Sequence, residues 1–186
     1  MEMRKKLLGT EHPDTLESMT DLAITYIYQE RWNEAEQLEL QDMEIRKKLL
    51  GTEHPDTIES MTNLAITYRN QERWNEKEQL ELQVMEIRKK LLGIEHPDTI
   101  ESMTNLAVTY RNQGRWTDAE QMGLQIMEMR KKLLGTEHPD TLESMTDLAI
   151  TYRIQGRWNI RKIQNFLSRL RLHLVGLFGN RPAKSL

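Results

Sequence analysis

The chain repeats itself every 42 residues, and a period of that length restricts the fold more than any other property of the sequence. Glu11-His12-Pro13-Asp14-Thr15 returns at Glu53–Thr57, Glu95–Thr99 and Glu137–Thr141. Trp32 returns as Trp74, Trp116 and Trp158, while Arg46-Lys47-Lys48-Leu49-Leu50-Gly51 returns twice and also stands at Arg4–Gly9. Units of about 20–50 residues cannot bury their apolar faces alone and do so against their neighbours. Such a period builds an elongated array that works through its surface.

One unit shows how the array forms. Pro55-Asp56-Thr57 starts a helix, because proline is tolerated in the first turn and Asp56 complements the positive end of the helix dipole. Ile58, Met61, Leu64, Ala65 and Tyr68 then recur at helical spacing and make one apolar stripe. Gln71-Glu72-Arg73 turns the chain, and Gly114 and Gly156 at the middle position of later units support a turn there. A second helix runs from about Trp74 to Leu92, with Arg88-Lys89-Lys90 at its negative end and Gly93 as an expected left-handed C-cap. Across the chain this pattern predicts helices near 13–30, 32–50, 55–72, 74–92, 97–114, 116–134 and 139–156.

These residues resemble the tetratricopeptide repeat. Met61-x-x-Leu64-Ala65-x-x-Tyr68, Trp74 at the turn, and Ala35 and Ala119 early in the second helix fill the positions of that signature. The longer 42-residue unit, with Leu-Gly-x-Glu-His-Pro-Asp-Thr between repeats, is similar to the kinesin light chain subtype. It is also similar to the arrays that follow nucleotide-binding domains in fungal receptor-like proteins. The resemblance implies an all-α, right-handed α-solenoid of helix-turn-helix repeats that serves as a non-catalytic scaffold for a protein or peptide partner; the start Met1–Lys6 lacks a signal-peptide core and no apolar run approaches a membrane span, so the cytoplasm is the expected compartment. The resemblance further implies that the chain is a sensor fragment of a larger receptor-like protein. Departures from the signature are Glu39, Glu81 and Gly123 where a bulky residue is usual, Lys77 in place of a small residue, and Asp42 where Val84 and Ile126 stand later. The expectation is that these charges escape burial by snorkelling or near an array end.

Comparing units within the chain locates a candidate binding face. Along the first helix most residues are identical, and the non-conservative differences fall at Asp21/Asn63/Asn105/Asp147, Ile27/Arg69/Arg111/Arg153 and Tyr28/Asn70/Asn112/Ile154. With Ile24/Ile66/Val108/Ile150 these lie at i, i+3, i+6 and i+7, one stripe roughly opposite the apolar one. In tetratricopeptide proteins the corresponding face lines a concave groove that holds peptides; the alternative is drift on a solvated face. The asparagines offer donor and acceptor to a peptide backbone. The arginine line favours carboxylate or phosphate.

Other chemistry is thin. No cysteine is present, which excludes disulfides and thiolate chemistry. His12, His54, His96 and His138 sit on different layers roughly 8–10 Å apart, too far to share one zinc ion, and read as helix-start residues. The tryptophans read as packing at the turns. No phosphate loop, zinc motif or serine elbow occurs, and no cofactor is expected.

The divisions expected are 1–9 (a partial second helix), repeats at 10–51, 52–93 and 94–135, a first helix at 136–158, a basic amphipathic helix at 159–179 and a tail at 180–186. Residues 159–186 carry +6, which leaves −9 for 1–158 out of a net −3. An acidic array suits nucleic acid poorly, so attachment to nucleic acid or membrane is confined to 159–186. Ile163, Leu167, Leu170 and Leu174 are expected to cap the helix that begins at Pro139. At the other end, residues 1–9 supply only half a helix, and fraying or self-association is expected there.

Overall fold

The structure is a computed structural model that describes residues 1–154. The expected cap and basic tail lie outside the described residues, as do Gly156 and Trp158. Within them the chain forms α1 (Glu2–Leu8), α2 (Pro13–Tyr28), α3 (Trp32–Leu50), α4 (Pro55–Asn70), α5 (Trp74–Leu92), α6 (Pro97–Asn112), α7 (Trp116–Leu134) and α8 (Pro139–Ile154), with no strand among the described residues. The main contacts join helices consecutive in sequence, as a linear array requires. Lys48 at the end of α3 reaches Glu11 ahead of α2 at 2.6 Å, which shows the two helices running antiparallel. Lys90–Glu53 and Lys132–Glu95 repeat that closure in the next two hairpins.

The helix starts work as the sequence suggested, with a cap it did not reveal. His54 holds an extended backbone (φ −71°, ψ 140°), and its Nδ1 accepts the Asp56 N–H at 3.2 Å. His12, His96 and His138 do the same for Asp14, Asp98 and Asp140. The imidazole thus satisfies one of the amides that every helix start leaves open.

Two helix ends differ from expectation. The first helices stop at Tyr28, Asn70 and Asn112, two residues early. The cause is local: Glu30, Glu72 and Gly114 hold positive φ (58°, 58° and 74°), which leaves the helical region. After the second helices, Gly51, Gly93 and Gly135 have positive φ near 90° as expected, but ψ of 162–166° is extended rather than left-handed helical. That combination is essentially restricted to glycine.

The core runs along the array rather than inward to a centre. Ile58, Met61 and Val84 pack with Met43, Leu80 and Ile87, so each apolar cluster joins one second helix to the hairpin after it. Ile100, Met103 and Ile126 repeat this with Met85. Each such aliphatic side chain contributes on the order of 1.5–3 kcal/mol when fully buried. Trp32, Trp74 and Trp116 open the second helices and are only half-buried, because that first position lies at the rim. The neighbouring Arg31, Arg73 and Arg115 instead lie over Tyr26, Tyr68 and Tyr110 at 4.1–4.4 Å. Arg73 and Arg115 also bond Glu36 and Glu78 of the preceding unit, which ties consecutive hairpins together.

Candidate partner-binding groove

Between each pair of neighbouring first helices the chain leaves a recess whose floor belongs to the second helix beneath. The middle recess, about 240 Å³, has Ile66 and Arg69 of α4 on one side and Asn105 of α6 on the other. Lys77, Glu81, Val84 and Arg88 of α5 form its floor. These four follow at i, i+4, i+7 and i+11, one face of the helix. A second recess, between α2 and α4, has about 190 Å³ and takes in Asp21, Asn63 and Arg46. A third, between α6 and α8, is a slot of about 20 Å³ with Val108, Arg111 and Asp147 on its sides and Ala119, Gly123 and Ile126 below.

The stripe identified from unit-to-unit variation is therefore partly gathered here. Asp21, Asn63, Ile66, Arg69, Asn105, Val108, Arg111 and Asp147 line the three recesses. Ile24, Ile27, Tyr28, Asn70, Asn112, Ile150, Arg153 and Ile154 lie outside them; Tyr28 is 86% exposed and Asn112 donates to the Val108 carbonyl at 2.9 Å. The arginine line is not uniform. Arg111 stands 3.9 Å from Asp147, which offsets its charge, whereas Arg69 makes no ion pair among the described residues.

The residues that sequence reasoning underestimated lie on the second helices, with Lys77 and Glu81 in the floor of the middle recess and Glu39 and Asp42 at the matching positions of α3, outside the recess there. Glu39, Asp42, Lys77 and Glu81 were expected to escape burial, yet all four are buried. The reason is the register: the face of α3 or α5 that carries them is covered by the next first helix. Burial is tolerated where partners exist. Lys77 donates to Glu81 and to Thr109 Oγ1 at 2.5 Å, and the Thr109 hydroxyl donates back to Glu81. Burial pulls the Lys77 pKa down, with Glu81 opposing. Asp42 accepts from Arg46 at 3.0 Å and from Ser60 at 2.5 Å. This diverts Arg46 from the Ser60 bond, since Arg4, Arg88 and Arg130 donate to Ser18, Ser102 and Ser144.

Glu39 has no such relief. Ala35 stands where Lys77 stands one unit on, and burial pushes the Glu39 carboxyl up to about 7. The Thr67 hydroxyl is close enough to lower that value somewhat, but Glu39 Oε2 and Thr67 Oγ1 make no hydrogen bond of sound geometry. The signal was in the sequence: Ala35/Lys77/Ala119 and Glu39/Glu81/Gly123 differ between units as sharply as the first-helix stripe.

No group of three or more histidine, aspartate or glutamate side chains suited to a metal ion occurs among the described residues. No helix among them is long and apolar enough to cross a membrane.

Comparison with known proteins supports the fold. The chain is similar to the nearly identical, kinesin-light-chain-like repeats of a Podospora anserina protein. Identity there is 31%, with 96% of this chain and 84% of that chain covered and a TM-score of 0.81. A second crystal structure of those repeats, carrying a point substitution, gives the same identity and coverage with a TM-score of 0.80. BtubC from P. vanneervenii shares the fold at 19% identity and a TM-score of 0.72, over 99% of this chain and 73% of that one. No curated protein matches. The tetratricopeptide repeat family matches at residues 15–56, 57–98 and 99–140, three consecutive 42-residue units, and the chain belongs to that family.

Proposed function

We propose that this array holds a peptide segment of a partner protein in the groove formed by α2, α4, α6 and α8. Tetratricopeptide repeats generally mediate protein–protein interaction, and scaffolds of this kind are typically non-catalytic. The observation that carries the groove reading is a coincidence of two patterns. The first helices are nearly identical between units, and half of their variable stripe lines the three recesses. Residues that hold the array together repeat, and residues that would read a ligand differ.

The groove surface supports an extended peptide. Asn63 and Asn105 offer a donor and an acceptor each to a peptide backbone. Arg69, which makes no ion pair among the described residues, presents a planar cation to an acidic group at the middle recess. Its exposure means that reversing its charge leaves the core untouched. The test is a peptide-display selection on the full chain, with affinities then measured on Arg69→Glu. Acidic peptides weakened about tenfold or more on that variant, with unchanged melting, support the reading. Peptides that bind both chains equally well would place the site elsewhere.

A further inference from the structure

The helices α4 and α6 each set an arginine against the next first helix, and one residue there decides what the arginine meets. Arg69 of α4 shares the middle recess with Asn105 of α6, and Arg111 of α6 shares the third with Asp147 of α8. Asn105 and Asp147 occupy the same position of consecutive units, nearly alike in shape but one neutral and one charged. The outcomes differ. Arg111 Nη1 stands 3.9 Å from Asp147 Oδ1, and its side chain is 17% exposed. Arg69 is exposed and makes no ion pair among the described residues. The other cations that line the three recesses are all paired: Arg46 with Asp42, Lys77 with Glu81 and Arg88 with Glu101. In α2 the arginine position holds Ile27, so no such pair arises there.

We propose that Asp147 is a built-in occupant of the groove: its carboxylate takes the place at Arg111 that an acidic group of the partner takes at Arg69, and so fixes where along the array such a group is read. The inference rests on the groove reading above and deepens it, by naming the residue that sets the position of the ligand. The fold holds Asp147 beside Arg111 at a high effective concentration, so a ligand carboxylate would have to displace it and would meet its like charge. The third recess is also shallow. Gly123 lets Leu148 lie close over α7, where a β-carbon on the glycine would stand 3.3 Å from Leu148 Cδ1. Neither obstacle exists at the middle recess. Asn105 brings no negative charge and offers an N–H to the same carboxylate, and the recess holds about 240 Å³. Burial lowers the Lys77 pKa against the opposing pull of Glu81, and the Arg69 charge adds to the lowering. That places a cation without its own carboxylate within electrostatic reach of the floor. A single acidic residue of the chain thus turns two equivalent arginines into one reading position.

The test has two arms, both on the full chain. In the first, arginines are modified with p-hydroxyphenylglyoxal and the rates at Arg69 and Arg111 are followed by mass spectrometry. Arg69 should react several-fold faster than Arg111 in the wild-type chain. Asp147→Asn should raise the Arg111 rate several-fold and leave Arg69 unchanged, and Asn105→Asp should lower the Arg69 rate toward that of Arg111. Both changes are nearly isosteric, and unchanged melting checks that the array stays folded. Equal rates at the two arginines in the wild-type chain, or an Arg111 rate that ignores Asp147→Asn, would overturn the proposal. The second arm uses acidic peptides selected on the wild-type chain. Asn105→Asp should weaken them about tenfold or more, as Arg69→Glu does, because the new carboxylate occupies Arg69 from within. Peptides that lose affinity in Arg69→Glu but bind Asn105→Asp unchanged overturn this inference and leave the groove reading intact. Failure to select any peptide that depends on Arg69 counts against the groove reading, and the modification rates still decide whether Asp147 masks Arg111.

Discussion

The groove segment between α2 and α4 and the one between α6 and α8 are built from matching helices, yet their floors are opposite in character. Beneath the first, α3 carries Ala35, Glu39 and Asp42, with two buried carboxylates that lie outside the recess itself; the last has Ala119, Gly123 and Ile126 in its recess, with no charge. Between them Lys77, Glu81 and Val84 make a paired floor. The frame is indifferent to the change because it is held from outside the floor. Arginine-tyrosine stacking, the Arg–Glu ties between units and the Lys–Glu closures recur in first and later hairpins alike. A repeat protein can therefore vary one row of residues while its neighbour contacts stay fixed, since stability is close to a sum over units and interfaces.

The largest expected effect breaks the middle floor. Glu81→Leu leaves Lys77 buried without its carboxylate and should destabilise the chain by about 3–5 kcal/mol. The double change Lys77→Ala with Glu81→Gly copies the last floor and should cost far less. Urea denaturation of both variants checks this, and equal losses would mean that the pair is not desolvated as the structure shows.

Next comes pH. Glu39 titrates near 7 in the folded chain against 4.5 for an ordinary glutamate, so folding favours its protonated form. Stability should fall as pH rises from about 4.5 to about 7 and stay lower above that, by about 2–3 kcal/mol for this group. Burial is the main cause, and Glu36 and Asp42 add to it. Glu39→Gln should flatten that part of the profile relative to wild type. Matching curves for Glu39→Gln and wild type would show that the first floor is wetter than its burial indicates.

A smaller effect lies at the turns. Glu30 and Glu72 hold φ of 58°, where the third unit has Gly114. Replacing either by glycine should stabilise the chain by at most about 1 kcal/mol, because relief of left-handed strain exceeds the added flexibility of the unfolded chain. Thermal melting reads the change, and a loss would show that these glutamates hold their turns. The smallest effect is expected for Asp42→Val, under about 1 kcal/mol, since Arg46 can then take the Ser60 bond that Arg88 makes to Ser102.

Helix positions, the turns and the apolar stripe through Met61, Leu64 and Tyr68 could be read from the sequence because they depend on residues three and four apart. The stripe of variable first-helix residues was legible for the same reason, and eight of its members meet in the recesses. Periodicity could not say that Arg111 faces Asp147 across a helix gap while Arg69 makes no ion pair among the described residues, since that depends on how α6 meets α8.

By itself, then, the sequence determined a linear helical array of 42-residue units, each unable to bury its apolar face without the next. The tertiary structure decided the chemistry of the groove floor. Glu39, Asp42, Lys77 and Glu81 look like surface residues on isolated helices, and they are buried only because the following first helix covers their face. Whether each then finds a partner depends on a residue one turn away and a threonine or serine from the next unit. Lys77 and Thr109 supply both for Glu81, Arg46 and Ser60 supply both for Asp42, and Ala35 leaves Glu39 without a cation.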